Sequence, residues 1–461
     1  MGHFNRGWFS QQVSFMRRMF GQADGLPFSQ VLSSELVADA LRRHGLGLTE
    51  PVYNALVTTW VFLSQVMSAD SCCRAAVARL VAHRCRQGQS PCSSQTGGYC
   101  QARQRLPEGF AADLVRHTGS SLEKEALPSW RWKDRSVMIF DGSTVSMPDT
   151  PENQKAYPQH ATQQAGVGFP LARIGVLFSL AAATVLDLAI CPFRGKGNSE
   201  LGLLRQVWHH LVAGSVLLAD RYICCWFEIA LLDGRNVKVV CRLHSQRRPN
   251  WRKGNDQRVT WPKPERPFWM DQATYDALPD ELTIRLLRLK VARRGFRTRE
   301  IRVATTLLDR RAFTPGELAD LYRARWHAEL DLRSLKSVMQ MDILRGKSPD
   351  IVRKEIWMHL LAYNLIRTVM AQAAMAHDVN PRAISFKAAL QTLEAFRPQL
   401  LEASRDALPS LIEQIIQAII THQVGQRPNR CEPRARKRRP KPYPLLQHRR
   451  TIARKLVRYK S

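Results

Sequence analysis

Residues 215–243 read SVLLADRYICCWFEIALLDGRNVKVVCRL. The first run, SVLLAD, is too short and too apolar for an amphipathic helix, and reads as a short buried strand. CCWFEIALL then reads as a helix, and VKVVCRL as another strand. Strands alternating with helices predict an α/β sheet covered by helices. Asp220 ends the first apolar run and precedes Arg221 and Tyr222. In open α/β sheets the carboxyl ends of strands face the binding crevice, so a carboxylate there is placed for chemistry. The plainer reading is that this aspartate begins a turn or caps the next helix.

The same pattern extends upstream. SVMIFDGSTVSM, 136–147, is a β-rich run ending in a turn, and Asp141 follows its apolar part and precedes Gly142, Ser143 and Thr144. IGVLFSLAAATVLDLAI, 174–190, is short for a membrane span and is interrupted by Asp187. It reads as two consecutive buried strands. NSELGLLRQVWHHLV reads as a helix. The first third reads as helices at 28–45, 53–67 and 71–86, with Gly97 and Gly98 as a break before another. From 243 to 300 the order loosens into a stretch crowded with Pro, Arg, Lys and Trp. It still yields two strands, TIRLLRLKV and TREIRVATTLL. The expected organisation is a helical region 1–130 and an α/β core 131–375 interrupted at about 243–308 by a β-rich insertion. A helical region 376–426 and a flexible basic tail 427–461 follow.

The chain has 461 residues, with 69 Lys+Arg against 39 Asp+Glu, a formal charge of +30. That excess points to a polyanion, most simply nucleic acid. An anionic membrane would call for an anchor, and the first residues carry neither an apolar signal core nor a Ser/Thr at position 6. A cytoplasmic chain is expected. The ten cysteines form no C-x-x-C pair, so reduced, buried thiols are expected.

A second stretch carries more chemistry. In YRARWHAELDLRSLK, 322–336, Tyr322, Arg325, Glu329 and Lys336 fall within an arc of about 60° if the helix is continuous at about 100° per residue. A solvated, salt-bridged face is the plain reading. With Asp141 and Asp220, however, Glu329 completes a set of three carboxylates. Such a set can hold two divalent cations about 3.5–4 Å apart, and its hard oxygens suit Mg²⁺ or Mn²⁺. Arg325 and Lys336 would bind phosphates beside the metals, and Tyr322 would add a hydroxyl. His209, His210 and His327 read as structural or solvent-facing. Asp149 and Glu152 read as turn and surface acids. Ser143 lacks the G-x-S-x-G setting of a hydrolase nucleophile.

The spacing Y-x2-R-x3-E-x6-K resembles the YREK signature of bacterial insertion-sequence transposases of the IS-four group, DDE enzymes with a ribonuclease H-like core. DGST at Asp141, LLADRYI at Asp220 and LRGKSPDIVRKEIWMHLLAYNLIR after the glutamate are similar to that family's blocks. The resemblance implies that Asp141, Asp220 and Glu329 are the catalytic metal-binding triad. It implies that Tyr322, Arg325 and Lys336 contact DNA near the cleaved end. It also implies a tryptophan in the insertion that stacks on a flipped base, with Trp251, Trp261 and Trp269 as candidates. The helical N-terminal region would recognise terminal inverted repeats of double-stranded DNA, and a homodimer would hold two ends. The rival readings are a ribonuclease H-like nuclease without transposition, and a non-catalytic DNA-binding regulator or decayed copy.

The charge argument gives a first test. Non-specific DNA affinity should fall steeply and linearly in log–log form as salt rises, because each neutralised phosphate releases counterions. A flat response in a filter-binding titration would remove that argument.

Overall fold

The computed structural model describes residues 6–24, 26–195, 197–290, 300–425 and 445–458. Six helices come first: α1 (Arg6–Arg18), α2 (Ser34–Arg43), α3 (Ala55–Val66), α4 (Cys73–Arg86), α5 (Gly97–Arg105) and α6 (Glu108–Lys124). Strands and helices then mix: β1 (Val137–Ser146), α7 (Pro151–Ala156), β2 (Leu171–Ser179), β3 (Val185–Pro192), α8 (Glu200–Val207), β4 (Val216–Ala219), α9 (Trp226–Gly234) and β5 (Lys238–Arg242). Next come β6 (Asp256–Pro262), α10 (Gln272–Asp276), β7 (Glu281–Lys290) and β8 (Glu300–Thr305). Six helices close the chain: α11 (Pro315–Ala324), α12 (Trp326–Arg333), α13 (Pro349–Ala376), α14 (Phe386–Glu402), α15 (Leu408–Ile420) and α16 (Arg450–Arg458). The fold is mixed α/β. Its eight strands form one sheet in the order β3-β2-β1-β4-β5-β8-β7-β6.

The chain divides into two compact units. The first comprises Met1–Asp141, Gly175–Ala189 and Trp326–Val424. Its centre is α13, whose side chains are buried on every face from Lys354 to Ala374. Helices α3, α6, α14 and α15 pack on it. A helix buried all round must satisfy its polar side chains inside the protein. Asn364 does so: its amide oxygen accepts from Val185 N–H at 2.8 Å. Its amide nitrogen donates to Val185 O at 2.9 Å, Val115 O at 3.1 Å and Thr118 Oγ1 at 3.2 Å. The close approach of α6 to β3 requires Gly119, where a Cβ would stand 2.0 Å from Val185 O. The 174–190 stretch gives most of β2 and β3, and buried Asp187 accepts from Arg116 Nε at 2.8 Å. No helix among the described residues is long and apolar enough to cross a membrane.

The second unit comprises Gly142–Ile174, Ile190–Arg325 and Gly425–Ser461. Here β4 and β5 run parallel, with Val216 opposite Lys238 and Ala219 opposite Cys241. β8 joins β5 antiparallel, then β7 and β6 follow antiparallel, so the strands after residue 243 extend the same sheet outward. Arg285 of β7 is fully buried and grips the Asp256 carboxylate with Nε at 2.9 Å and Nη2 at 2.8 Å. These bonds hold the Asp256 carboxyl below its ordinary range.

Several expectations change. Gly97 and Gly98 open α5 rather than interrupt the helices, and α1 was not singled out in the sequence. Of the nine described cysteines, all free, only Cys191, Cys224 and Cys241 are buried. Cys85 is exposed and the other five are half-buried. Most of the basic tail, 426–444, and Cys431 lie outside the described residues, and α16 forms beyond them.

His359 on α13 is buried, and its Nδ1 has no hydrogen-bond partner among the described residues. Burial pushes its imidazole down to about 3 from the ordinary 6.5. As pH falls, the unfolded chain takes up this proton first. The stability it contributes is therefore complete above about pH 6.5 and is lost between 6.5 and 3, at a slope of ~1.4 kcal/mol per pH unit. His359→Leu should remove that one-proton slope in urea unfolding measured across this window. An unchanged slope would mean that the imidazole protonates inside the folded protein.

Candidate active site

Asp220 stands immediately after β4, as the sequence predicts. It also caps the turn Arg221–Ile223, its Oδ1 accepting from Arg221 N–H at 2.7 Å. The capping reading holds, and the local bond fixes the carboxylate's direction at the strand end.

Asp141 departs from expectation. The apolar run does end there, but β1 continues through Ser146, so Asp141 lies within a strand and not at its end. Burial changes at this residue. Val137 to Phe140 are buried, and Asp141 to Thr144 are half-buried. The hydrogen-bonded ladder outlasts the apolar pattern, and only the pattern is visible in the sequence.

The signature stretch departs further. A single continuous helix was expected, with all four polar residues on one stripe. Instead α11 ends at Ala324, Arg325 N–H bonds back to Tyr322 O at 3.2 Å, and α12 begins at Trp326. From Ser334 to Val338 the backbone widens into a π-helical turn that contains Lys336. Arg325 itself keeps right-handed helical dihedrals, φ −52° and ψ −33°, so the departure from a uniform 100° step lies in the π-helical turn at Lys336. Leu318, Leu321 and Tyr322 are buried residues of the second unit, and Ala328, Asp331, Leu332 and Leu335 are buried residues of the first.

Tyr322 is therefore no surface phenol; it is 7% exposed. Burial pushes its hydroxyl above the ordinary tyrosine range; Arg325 opposes this, and Asp220 and Cys241 add to it. The second unit thus holds Asp220, Tyr322 and Arg325 within reach of one another's charge. The first unit holds Asp141, Glu329 and Lys336. Burial lowers the Lys336 ammonium, and Asp342 opposes that shift.

One carboxylate was missed in the sequence. Glu200 opens α8 after Ser199, whose Oγ accepts from Gly202 N–H at 3.2 Å. Its carboxyl is pushed up by burial first; Asp220 raises it further, and Arg173 and Arg325 oppose. A Cβ on Gly142 would stand 3.1 Å from Glu200 Oε1, so this carboxylate lies against the residue that follows Asp141. In the sequence it looks like an ordinary first-turn acid on a helix.

Residues 132–365, slightly more than half of the chain, match the transposase DDE domain family. The chain belongs to this family. The match contains Asp141, Asp220, Tyr322, Arg325, Glu329 and Lys336. The transposase is 28% identical over 356 residues to the transposase InsG for insertion sequence element IS4 of Escherichia coli K12, covering 75% of this chain and 77% of that one. It is 37% identical over 78 residues to the putative transposase InsL for insertion sequence element IS186A of the same organism, covering 17% and 20%. A cryo-EM structure of the piggyBac transposase synaptic complex with hairpin DNA aligns at a TM-score of 0.37 and 11% identity, covering 87% of this chain and 76% of that one. The protein is a DDE transposase of the IS4 group that cleaves DNA and transfers strands. Transposases of this family generally work with divalent metal ions.

Among the tryptophans of this transposase, Trp261 is 8% exposed in β6, and the Arg247 guanidinium lies 3.5 Å from its ring centroid. Arg205 covers Trp269 at 3.4 Å, with the Phe227 ring 6.2 Å away edge-on. Trp251 is half-buried in the turn before β6. Phe268, beside Trp269, is 74% exposed and was not considered in the sequence. Of the secondary acids, Asp149 accepts from Gln154 Nε2 at 2.8 Å and Glu152 lies in the first turn of α7.

These exposures separate packing from surface. Trp261→Ala should cost ~3–5 kcal/mol of stability, while Phe268→Ala should stay within ~0.5 kcal/mol. Urea unfolding of both variants checks this. A mild loss at Trp261 would contradict its packed position.

Proposed function

We propose that this transposase cuts at the ends of an insertion sequence and joins them to target DNA by cut-and-paste, using a ribonuclease H-like core. Asp141, Asp220 and Glu329 are the metal-holding carboxylates in this reading. The observation that carries it is the family match, which spans these residues in order and in their expected sequence contexts. The donor set fits a hard cation, because it supplies carboxylate oxygens only. Gly142 adds a cradle beside Asp141 that a Cβ would narrow. Two Mg²⁺ or Mn²⁺ ions would activate a water or 3′-hydroxyl and stabilise the leaving oxygen of a phosphodiester.

The chain's own groups do the rest. Asp220 is pre-oriented by its bond to Arg221 N–H. Tyr322 stays a neutral hydroxyl, able to donate to a phosphate oxygen. Arg325 offers a guanidinium fork and Lys336 a compact charge, both suited to the DNA backbone. A base flipped from the cleaved end would stack on an aromatic of the 243–308 stretch, with Trp251, Trp261 and Trp269 as candidates and exposed Phe268 added to them. The organisation proposed is the one read from the sequence. Residues 1–130 recognise the inverted repeats, 131–375 form the catalytic core, 376–426 a helical region and 427–461 a basic tail. The active form is a homodimer on paired DNA ends in the bacterial cytoplasm.

The test is an excision and strand-transfer assay on the element's own ends with Mg²⁺. Asp141→Ala, Asp220→Ala and Glu329→Gln should each abolish cleavage and leave end binding intact. Each removes a metal ligand and no phosphate contact. Cleavage retained by any one of them takes that residue out of the triad.

A further inference from the structure

The helix that carries Glu329 is gripped from behind. Asp331 lies two residues further along α12, about 200° round the helix, so it points away from Glu329. It is 1% exposed. Each of its carboxylate oxygens has its own cation. Oδ1 accepts from Arg367 Nη2 at 2.7 Å, and Oδ2 accepts from Arg382 Nη1 at 3.0 Å.

Both arginines are themselves anchored. Arg367, on α13, donates through Nε to the Tyr363 hydroxyl at 2.9 Å, which donates to Ala183 O at 2.9 Å. Arg382 follows α13, and its Nη2 donates to Ser179 O at 2.7 Å and its Nε to Leu180 O at 2.5 Å. Leu180 N–H in turn donates to Val137 O at 2.8 Å. Val137 is the first residue of β1, the strand that carries Asp141. A continuous chain of bonds thus runs from α12 through Asp331, Arg382 and Leu180 to β1, all within the first unit.

Stability alone is a poor reason for such an arrangement. Burying a carboxylate between two guanidiniums costs desolvation of all three ions, and apolar side chains of similar volume often stabilise as well. Ions add direction, because the forked donors of each arginine accept few orientations. We propose that the Arg367–Asp331–Arg382 clamp is a positioning device that fixes Glu329 relative to the strand carrying Asp141. Asp331 and Arg382 are then positioning residues for the transposase reaction. This inference rests on the reading of Asp141 and Glu329 as metal-holding carboxylates.

The experiment uses the full chain on end DNA, with Asp331→Asn and Arg382→Lys beside Glu329→Gln. Three quantities are measured: end-DNA affinity, thermal melting, and Mn²⁺ binding followed by electron paramagnetic resonance. Folded Asp331→Asn should bind ends as wild type does yet need ~10–100-fold more Mn²⁺ for half occupancy, the scale found when a ligand's supporting bonds are removed. Arg382→Lys keeps the charge but cannot reach Asp331, Ser179 O and Leu180 O together, and should fall between the two. Wild-type Mn²⁺ binding in both folded variants overturns the clamp, even if their melting temperatures drop. Should Asp331→Asn fail to fold, Arg382→Lys decides alone. If Glu329→Gln itself binds Mn²⁺ like wild type, the reading of Glu329 falls instead. Loss in Glu329→Gln with no change in the two clamp variants leaves the site standing and removes the clamp.

Discussion

The amide of Asn364 joins three elements at once. It closes on both main-chain groups of Val185 at the start of β3, on Val115 O and on Thr118 of α6, from the middle of a helix buried on every face. An apolar residue there would leave the Val185 N–H and carbonyl without partners, at about 1–3 kcal/mol each. The same contact dictates Gly119, since the Val185 carbonyl occupies the space of any side chain. Around this point the first unit assembles: α6 and α13 set the depth of β3, and the turn between β2 and β3 is left where Arg382 and Tyr363 can hold it.

The second unit solves a similar problem with a charge. Arg285 is fully buried in β7, and three main-chain carbonyls, of Leu307, Asp309 and Phe313, join Asp256 in receiving its donors. The chain leaving β8 is thereby pinned before it enters α11. That helix opens with a capping box, Thr314 with Glu317, and with Pro315 at its first position. It ends at Ala324, and the π-helical turn lies further on, at Ser334–Val338.

Much of the site was legible because it rests on local patterns. The short apolar run before Asp220 could be little else than a buried strand, and the aspartate after it does end that strand. The paired strands at 174–190 followed from their length and from Asp187. Of the four letters of the signature, Lys336 sits in a π-helical turn, where a periodic projection that assumes a uniform backbone no longer applies. Glu200 and Phe268 escaped notice for a different reason. A first-turn glutamate and an aromatic between proline and tryptophan are common surface features, and only their neighbours mark them out.

The sequence by itself determined the class of chemistry: three carboxylates in order, cations spaced among them, a basic chain and an alternation of strands and helices. Those are matters of residue type and local period, which one dimension records. Tertiary structure decided what each of these residues faces. It carried β1 past Asp141, buried Tyr322, brought Glu200 against Gly142, and set Asp331 between arginines 36 and 51 positions away. Separations of that length close only when packing brings distant segments together, and no local period encodes them.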